Sequence, residues 1–174
     1  MTLPRLTFVL GGAASGKSGF AESLIYKGDC TPLYVATAQV FDEEMAKKVE
    51  IHREMRGANW QTVEEPLNID AALKRASAGQ PILIDCATLW LTNVILGEHD
   101  IVAYRAKLFQ ALSTAAGPVV IVSNEVGYGI VPENALSRRF RNEQGRLNQE
   151  IAERADTVIT VIAGLPLVVK GEMP

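Results

Sequence analysis

The sequence predicts an α/β fold, a mostly parallel sheet flanked by helices, and three observations carry that expectation. Short β-prone runs recur at 6–10, 32–36, 81–85, 118–123 and 157–162, separated by longer segments that read as helices. The first run leads directly into Gly11-Gly-Ala-Ala-Ser-Gly-Lys-Ser18, a complete G-x-x-x-x-G-K-S element. The last run, Val158-Ile-Thr-Val-Ile162, passes through Ala163-Gly-Leu-Pro166 into Leu167-Val-Val-Lys170, which predicts two strands joined by a tight turn and an antiparallel edge at the C-terminal end.

Taken in chain order, Leu6-Thr-Phe-Val-Leu10 is apolar and β-prone and supplies the strand that such a glycine-rich element requires before it. Gly11 and Gly16 allow the backbone to curl so that successive N–H groups face a polyphosphate at the start of the next helix. Lys17 is placed to reach the β- and γ-phosphates as a point charge, and the Ser18 hydroxyl to ligate Mg²⁺. The bland alternative is a glycine-rich strand-to-helix turn. Strand before, helix after and N-terminal placement favour the phosphate-binding reading, and with it a P-loop NTPase-type (RecA-like) sheet in one nucleotide-binding catalytic domain over residues 1–174.

Asp42 to Arg56 predicts a helix, opening on an N-cap residue with acids in its first turn. At about 100° per residue, Met45, Val49, His52 and Arg56 share one side of it. Pattern alone makes His52 a packed core histidine. Its neighbours, Arg53 and Arg56 with Trp60-Gln-Thr-Val-Glu64-Glu65-Pro66, offer instead a base or nucleophile beside two guanidinium groups and acids. Next, Ile82-Leu-Ile-Asp85 is an apolar strand ending in a carboxylate, where Asp85 either holds Mg²⁺ opposite Ser18 or caps a strand–helix junction. The run Val119-Val-Ile-Val-Ser-Asn124 ends in Glu125-Val-Gly-Tyr-Gly-Ile-Val-Pro132, whose glycines suggest a shaped loop; Glu125 meets either ligand or solvent. Arg138, Arg139, Arg141 and Arg146 form a cationic stretch that reads as a solvated or intersubunit face ahead of a phosphate site.

Composition bounds the rest. The chain has 174 residues, 48% hydrophobic and 21% charged, with a net charge of −3, which suits an ordinary globular enzyme and argues against a nucleic-acid-binding surface. Apolar runs such as Pro118-Val-Val-Ile-Val122 are far shorter than the ~20 residues of a membrane span. The N-terminus lacks the layout of a signal peptide, so a cytoplasmic location is expected. Cys30 and Cys86 have no metal-ligand spacing and read as two reduced thiols.

Several segments together resemble the bifunctional adenosylcobinamide kinase/adenosylcobinamide-phosphate guanylyltransferase family of cobalamin biosynthesis. They are Gly11 to Ser18 with Phe20-Ala-Glu22, Tyr34-Val-Ala-Thr-Ala38, Asp42 to Met45, the His52/Arg53/Arg56/Trp60/Glu64 run, Asn124 to Glu133, and Phe140-Arg with Gly145-Arg-Leu-Asn-Gln149. The resemblance implies two reactions: ATP or GTP phosphorylates the aminopropanol hydroxyl of adenosylcobinamide, then GTP donates GMP to that phosphate, giving adenosyl-GDP-cobinamide and pyrophosphate. It implies that His52 carries GMP covalently, a role open to a neutral imidazole near pH 7. By the same resemblance, guanine nucleotide contacts fall on Gly11, Gly12, Ala13, Ala14, Ser15, Gly16, Lys17, Ser18, Ala36, Thr37, Ala38, Arg53, Glu54, Met55, Arg56, Glu64 and Asp85, and the protein is a homotrimer. One departure is Gly57, where the family pattern has Pro. A P-loop kinase of another small alcohol would need no reactive His52, and a GTP-binding regulatory module would carry the Asn-Lys-x-Asp element that is absent here.

Overall fold

The computed structural model describes residues 3–25, 30–39 and 59–174. In chain order the described elements are β1 (Leu6–Gly11), α1 (Lys17–Ile25), β2 (Leu33–Ala36), β3 (Gln61–Glu64), α2 (Ile69–Leu73) and β4 (Ile82–Asp85). They continue with α3 (Ala87–Leu96), α4 (Ile101–Ser113), β5 (Val119–Asn124), α5 (Ala135–Arg154), β6 (Thr157–Ile162) and β7 (Leu165–Lys170). The strands form one sheet of order β3-β2-β4-β5-β1-β6-β7, parallel throughout except for the antiparallel β6–β7 pair.

Alternation along buried parallel strands sends successive side chains to opposite faces, each covered by helices. On one face Phe8, Val35, Ile84 and Ile121 meet Trp90 and Leu91 of α3, Leu108 of α4 and Leu147 and Ile151 of α5. On the other, Val9, Tyr34, Leu83, Val120, Val122 and Ile159 meet Ala21, Leu24 and Ile25 of α1. The central strands therefore read as unbroken apolar runs, which is why the sequence located them to within a residue or two. Caps reinforce the helices: Asp100 Oδ1 accepts from the N–H groups of Val102 and Ala103, and Asn134 Oδ1 from that of Ser137. Arg105 ties α4 to α5 through Glu143 (3.1 Å) and Glu150.

Two corrections concern the sheet edges. The segment Gln61–Glu64, read above only for chemistry, is a parallel edge strand on β2; just one of its four side chains, Val63, is buried, so no apolar run announced it. At the opposite edge the turn is Ala163-Gly164 alone, and Leu165 and Pro166 belong to β7. Both turn residues have positive φ, 51° and 80°, the mirror-image turn that matches strand twist. Pro166 faces Val161 at the non-hydrogen-bonded position of the ladder, where an N–H would point away from the sheet, so an edge strand accepts it.

The order of insertion positions everything that follows. The chain runs from β1 to β2 three positions away, and β4 and β5 later fill the space between, so the carboxyl ends of β2, β4, β5 and β1 lie side by side. Ligands of such sheets gather at that rim. No helix among the described residues is long and apolar enough to cross a membrane.

Candidate functional site

The glycine-rich loop spans the carboxyl end of β1 and the first turn of α1, as its sequence requires. Gly12, Ala13 and Ala14 are exposed, while Lys17 and Ser18 are half-buried at the helix start. Ala14 and Gly16 take positive φ, 55° and 89°, and the Gly16 carbonyl accepts from Phe20 N–H at 3.0 Å. Lys17 Nζ donates to Gly12 O at 3.1 Å, folding the cation over its own loop. A Cβ at Gly11 would lie 2.5 Å from Ser15 Oγ and 2.7 Å from Val161 O, so only glycine fits. The β6–β7 turn completes the cradle from outside: Gly164 N–H donates to Ser15 O at 2.8 Å.

Across the rim, Asp85 ends β4 on the α1 face, two residues beyond Leu83. Tyr34 donates its phenol to Asp85 Oδ2 at 2.9 Å, and the Tyr34 ring stands edge-on to Trp60 with centroids 5.6 Å apart. The carboxylate is thus aimed by a packed aromatic pair. Ala36 lies half-buried at the end of β2, in register with Asp85 on one side and with the exposed Glu64 of β3 on the other. Ala38 is also half-buried. Thr37 is fully buried, and its polar atoms are all engaged: Oγ1 donates to Cys86 O (2.7 Å) and accepts from Cys86 N–H (2.8 Å), its N–H donates to Asp85 O, and its carbonyl accepts from Asn93 Nδ2. Thr37 locks the end of β2 to the strand–helix junction after Asp85. Burial, with the Asp85 charge adding to it, pushes the Cys86 thiol up to about 12, so it stays protonated; Cys30 is exposed, and both cysteines are free.

A second polar system stands behind the end of β5. Asn124 N–H donates to Thr88 Oγ1 (2.8 Å), Thr88 Oγ1 lies 3.2 Å from Ser123 Oγ, Ser123 donates to Asn148 Oδ1 (2.8 Å), and Asn148 Nδ2 donates back to Asn124 O (3.1 Å). Gln144 Nε2 donates to both Ser123 Oγ and Asn148 Oδ1 at 2.9 Å. The ring begins and ends on the backbone of Asn124. Sequence reasoning missed it because its members come from α3, β5 and α5, and only the sheet order brings them together. Glu125 N–H donates to Gly11 O at 3.0 Å, and its Oε1 accepts from Gly127 N–H at 2.5 Å, so the carboxylate shapes its own loop. Arg138 donates to the carbonyls of Pro132 (3.0 Å) and Glu133, and Arg141 to that of Gly129 (3.4 Å), so two members of the cationic stretch staple that loop to α5. Arg146 instead pairs with Glu143 at 2.6 Å.

His52, Arg53, Glu54, Met55, Arg56 and the Gly57 departure, with the Asp42 to Met45 segment, lie outside the described residues. The structure therefore brings together Gly11–Ser18, Ala36, Thr37, Glu64 and Asp85 on one rim.

A model of the cobinamide kinase / cobinamide phosphate guanyltransferase family matches residues 7–169. The chain belongs to that family. It is accordingly an enzyme, a kinase and guanylyltransferase in one chain. Relatives agree over nearly their whole length. The bifunctional adenosylcobalamin biosynthesis protein CobP of Pseudomonas aeruginosa is 46% identical over 167 residues, covering 94% of this chain and 96% of its own. The CobU proteins of Salmonella typhimurium and Escherichia coli K12 are 40% and 38% identical over 182 residues, each covering 95% of this chain and 99% of its own. Among solved structures, the flagellar accessory protein FlaH of Methanocaldococcus jannaschii superposes with a TM-score of 0.55 at 15% identity, covering 99% of this chain and 81% of its own. The RadB recombinase does so at 0.54 and 16%, covering 91% and 75%. These two share the P-loop NTPase fold, as the sequence predicted.

Proposed function

We propose that this enzyme phosphorylates the aminopropanol hydroxyl of adenosylcobinamide with ATP or GTP and then transfers GMP from GTP, through a guanylyl group on His52, to the new phosphate. The observation that carries this reading is the shared rim of phosphate loop and Asp85 in a chain whose family match spans residues 7–169.

In the first step the acceptor hydroxyl oxygen bonds to the γ-phosphorus, the bond to the β,γ-bridging oxygen breaks, and the nucleoside diphosphate leaves with that electron pair as the hydroxyl proton departs. Such transfer asks for positioning and charge stabilisation. The loop N–H groups and Lys17 hold the polyphosphate, with Lys17 exchanging the Gly12 carbonyl for phosphate oxygens. Ser18 and Asp85 fit Mg²⁺, an ion that takes one or two protein oxygens and completes its shell with water and phosphate. When bound there, Mg²⁺ offsets charge on the transferring group.

In the second reaction an imidazole nitrogen of His52 bonds to the α-phosphorus of GTP and pyrophosphate leaves. A phosphate oxygen of adenosylcobinamide phosphate then attacks the same phosphorus, the P–N bond breaks, and His52 is regenerated. Arg53 and Arg56 suit bracing of the α-phosphate. The resemblance further implies a homotrimer acting in the cytoplasm. Exposed apolar side chains suit an assembling surface, among them Tyr128 and Ile130, each 96% accessible; sedimentation equilibrium gives the subunit count directly.

The deciding experiment incubates wild type and His52→Ala with Mg²⁺ and α-labelled GTP, followed by denaturing separation. Acid-labile label on wild type alone is expected. Bound GTP without label on either protein would reduce the chain to a plain phosphate-loop kinase.

A further inference from the structure

Asn124 closes β5 between the two strands that carry the phosphate loop and the acid. It is in register with Gly11 of β1, and Val122, two residues earlier, is in register with Asp85 of β4. Alternation fixes its side. Val120 and Val122 pack on the α1 face, Ile121 packs on the other, and the Ser123 hydroxyl joins the ring with α3 and α5 there, so the Asn124 carboxamide emerges on the α1 face with Asp85 and the loop.

Its backbone is held from both ends, N–H by Thr88 and C=O by Asn148, and those partners are themselves bonded to Ser123 and Gln144. Four buried side chains thus fix one strand-end residue, with one ring atom, Gln144 Oε1, left unmet at a cost of about 1–3 kcal/mol. Yet the side-chain Oδ1 of Asn124 is itself buried with no partner. A carboxamide offers one acceptor and two donor hydrogens. An anion accompanied by an incoming hydroxyl is the ligand that uses both ends.

We propose that Asn124 is a further catalytic residue of the phosphoryl-transfer step, its carboxamide donating to the terminal phosphate of the nucleotide and accepting from the hydroxyl that attacks it. The inference rests on the kinase reading above. The amide takes no proton in the step; it aligns the hydroxyl oxygen with the phosphorus, and the proton leaves to solvent or to the phosphate as the bridging bond breaks.

The test compares wild type, Asn124→Ala and the near-isosteric Asn124→Asp, each with Mg²⁺, in calorimetric titrations of GDP and of a β,γ-imido GTP analogue, with kinase turnover of adenosylcobinamide and guanylyl labelling measured alongside. Expected are unchanged GDP affinity, an analogue-to-GDP preference narrowed about tenfold, equivalent to ~1.4 kcal/mol, a kinase kcat lowered about 100-fold, and retained labelling at saturating α-labelled GTP. Asn124→Asp keeps the acceptor, loses the donor and adds a repelling charge, so it should lose more analogue affinity than Asn124→Ala. Wild-type preference and turnover in both variants would overturn the assignment. Equal loss of GDP and analogue binding together with a lowered melting temperature would also overturn it, in favour of a structural role. Failure of wild type itself to phosphorylate adenosylcobinamide would instead sink the kinase reading.

Discussion

Two polar clamps stand behind the carboxyl rim, and they differ in what they leave over. The Thr37 clamp joins β2 to the junction after β4, and every polar atom of Thr37 has a partner inside the chain. The ring of Thr88, Ser123, Gln144 and Asn148 closes on the Asn124 backbone and leaves two carboxamide oxygens buried and unpartnered, that of Gln144 inside the ring and that of Asn124 at the rim. A satisfied clamp is scaffolding; a clamp that delivers an unsatisfied group to the rim is apparatus for a ligand.

The largest effect that sharpens this contrast comes from outside both clamps. Lys17→Ala removes a rim cation whose protein contact is its own loop carbonyl. Both reactions are expected to fall by about 10²–10³-fold, with denaturant unfolding little changed; wild-type rates at subsaturating nucleotide would contradict it. Thr37→Val does the reverse, orphaning the buried N–H of Cys86, whose carbonyl keeps the N–H of Trp90 at 3.2 Å, and lowering unfolding free energy by about 2 kcal/mol in urea titrations. Asn148→Leu opens the ring between Ser123 and Asn124. It is expected to cost about 2 kcal/mol and to lower kinase kcat more than it raises KM for nucleotide, because the loop itself is untouched.

The smallest effect concerns Cys86, which the Thr37 clamp encloses. A thiol raised from 9.0 to about 12 stays protonated when folded. Its contribution to stability is present below the ordinary thiol value and is lost as pH rises toward 12, because only the unfolded chain gives up the proton. Ellman titration of the native protein near pH 8 should accordingly find one fast thiol, the exposed Cys30, and a second only after denaturation. Two fast thiols would show the clamp open.

Legibility in the sequence followed burial and locality. Strands buried on both faces, such as Val119–Asn124, show as apolar runs, and the phosphate loop is a contiguous motif whose geometry follows from glycine and a helix start. Asp85 was visible because it ends such a run. Gln61–Glu64 was not, since an edge strand with one buried side chain has no period to read. Thr37, the reverse case, carries a motif position yet engages its hydroxyl with Cys86, 49 residues away, a contact no local pattern encodes. Asn124 needed the strand order, because only the insertion of β5 between β4 and β1 gives its position meaning.

The β6–β7 turn reaches back across the chain to Ser15, and this has a consequence during synthesis. Residues 11–18 leave the ribosome early, but the Gly164 N–H that braces their loop, and the Val161 carbonyl that Gly11 must approach, arrive about 150 residues later. Closing so long a loop is slow and is rewarded only once both ends exist. A ribosome-bound chain halted before β6 thus carries the whole nucleotide motif without its brace, which can form only once the hairpin has itself cleared the ribosome.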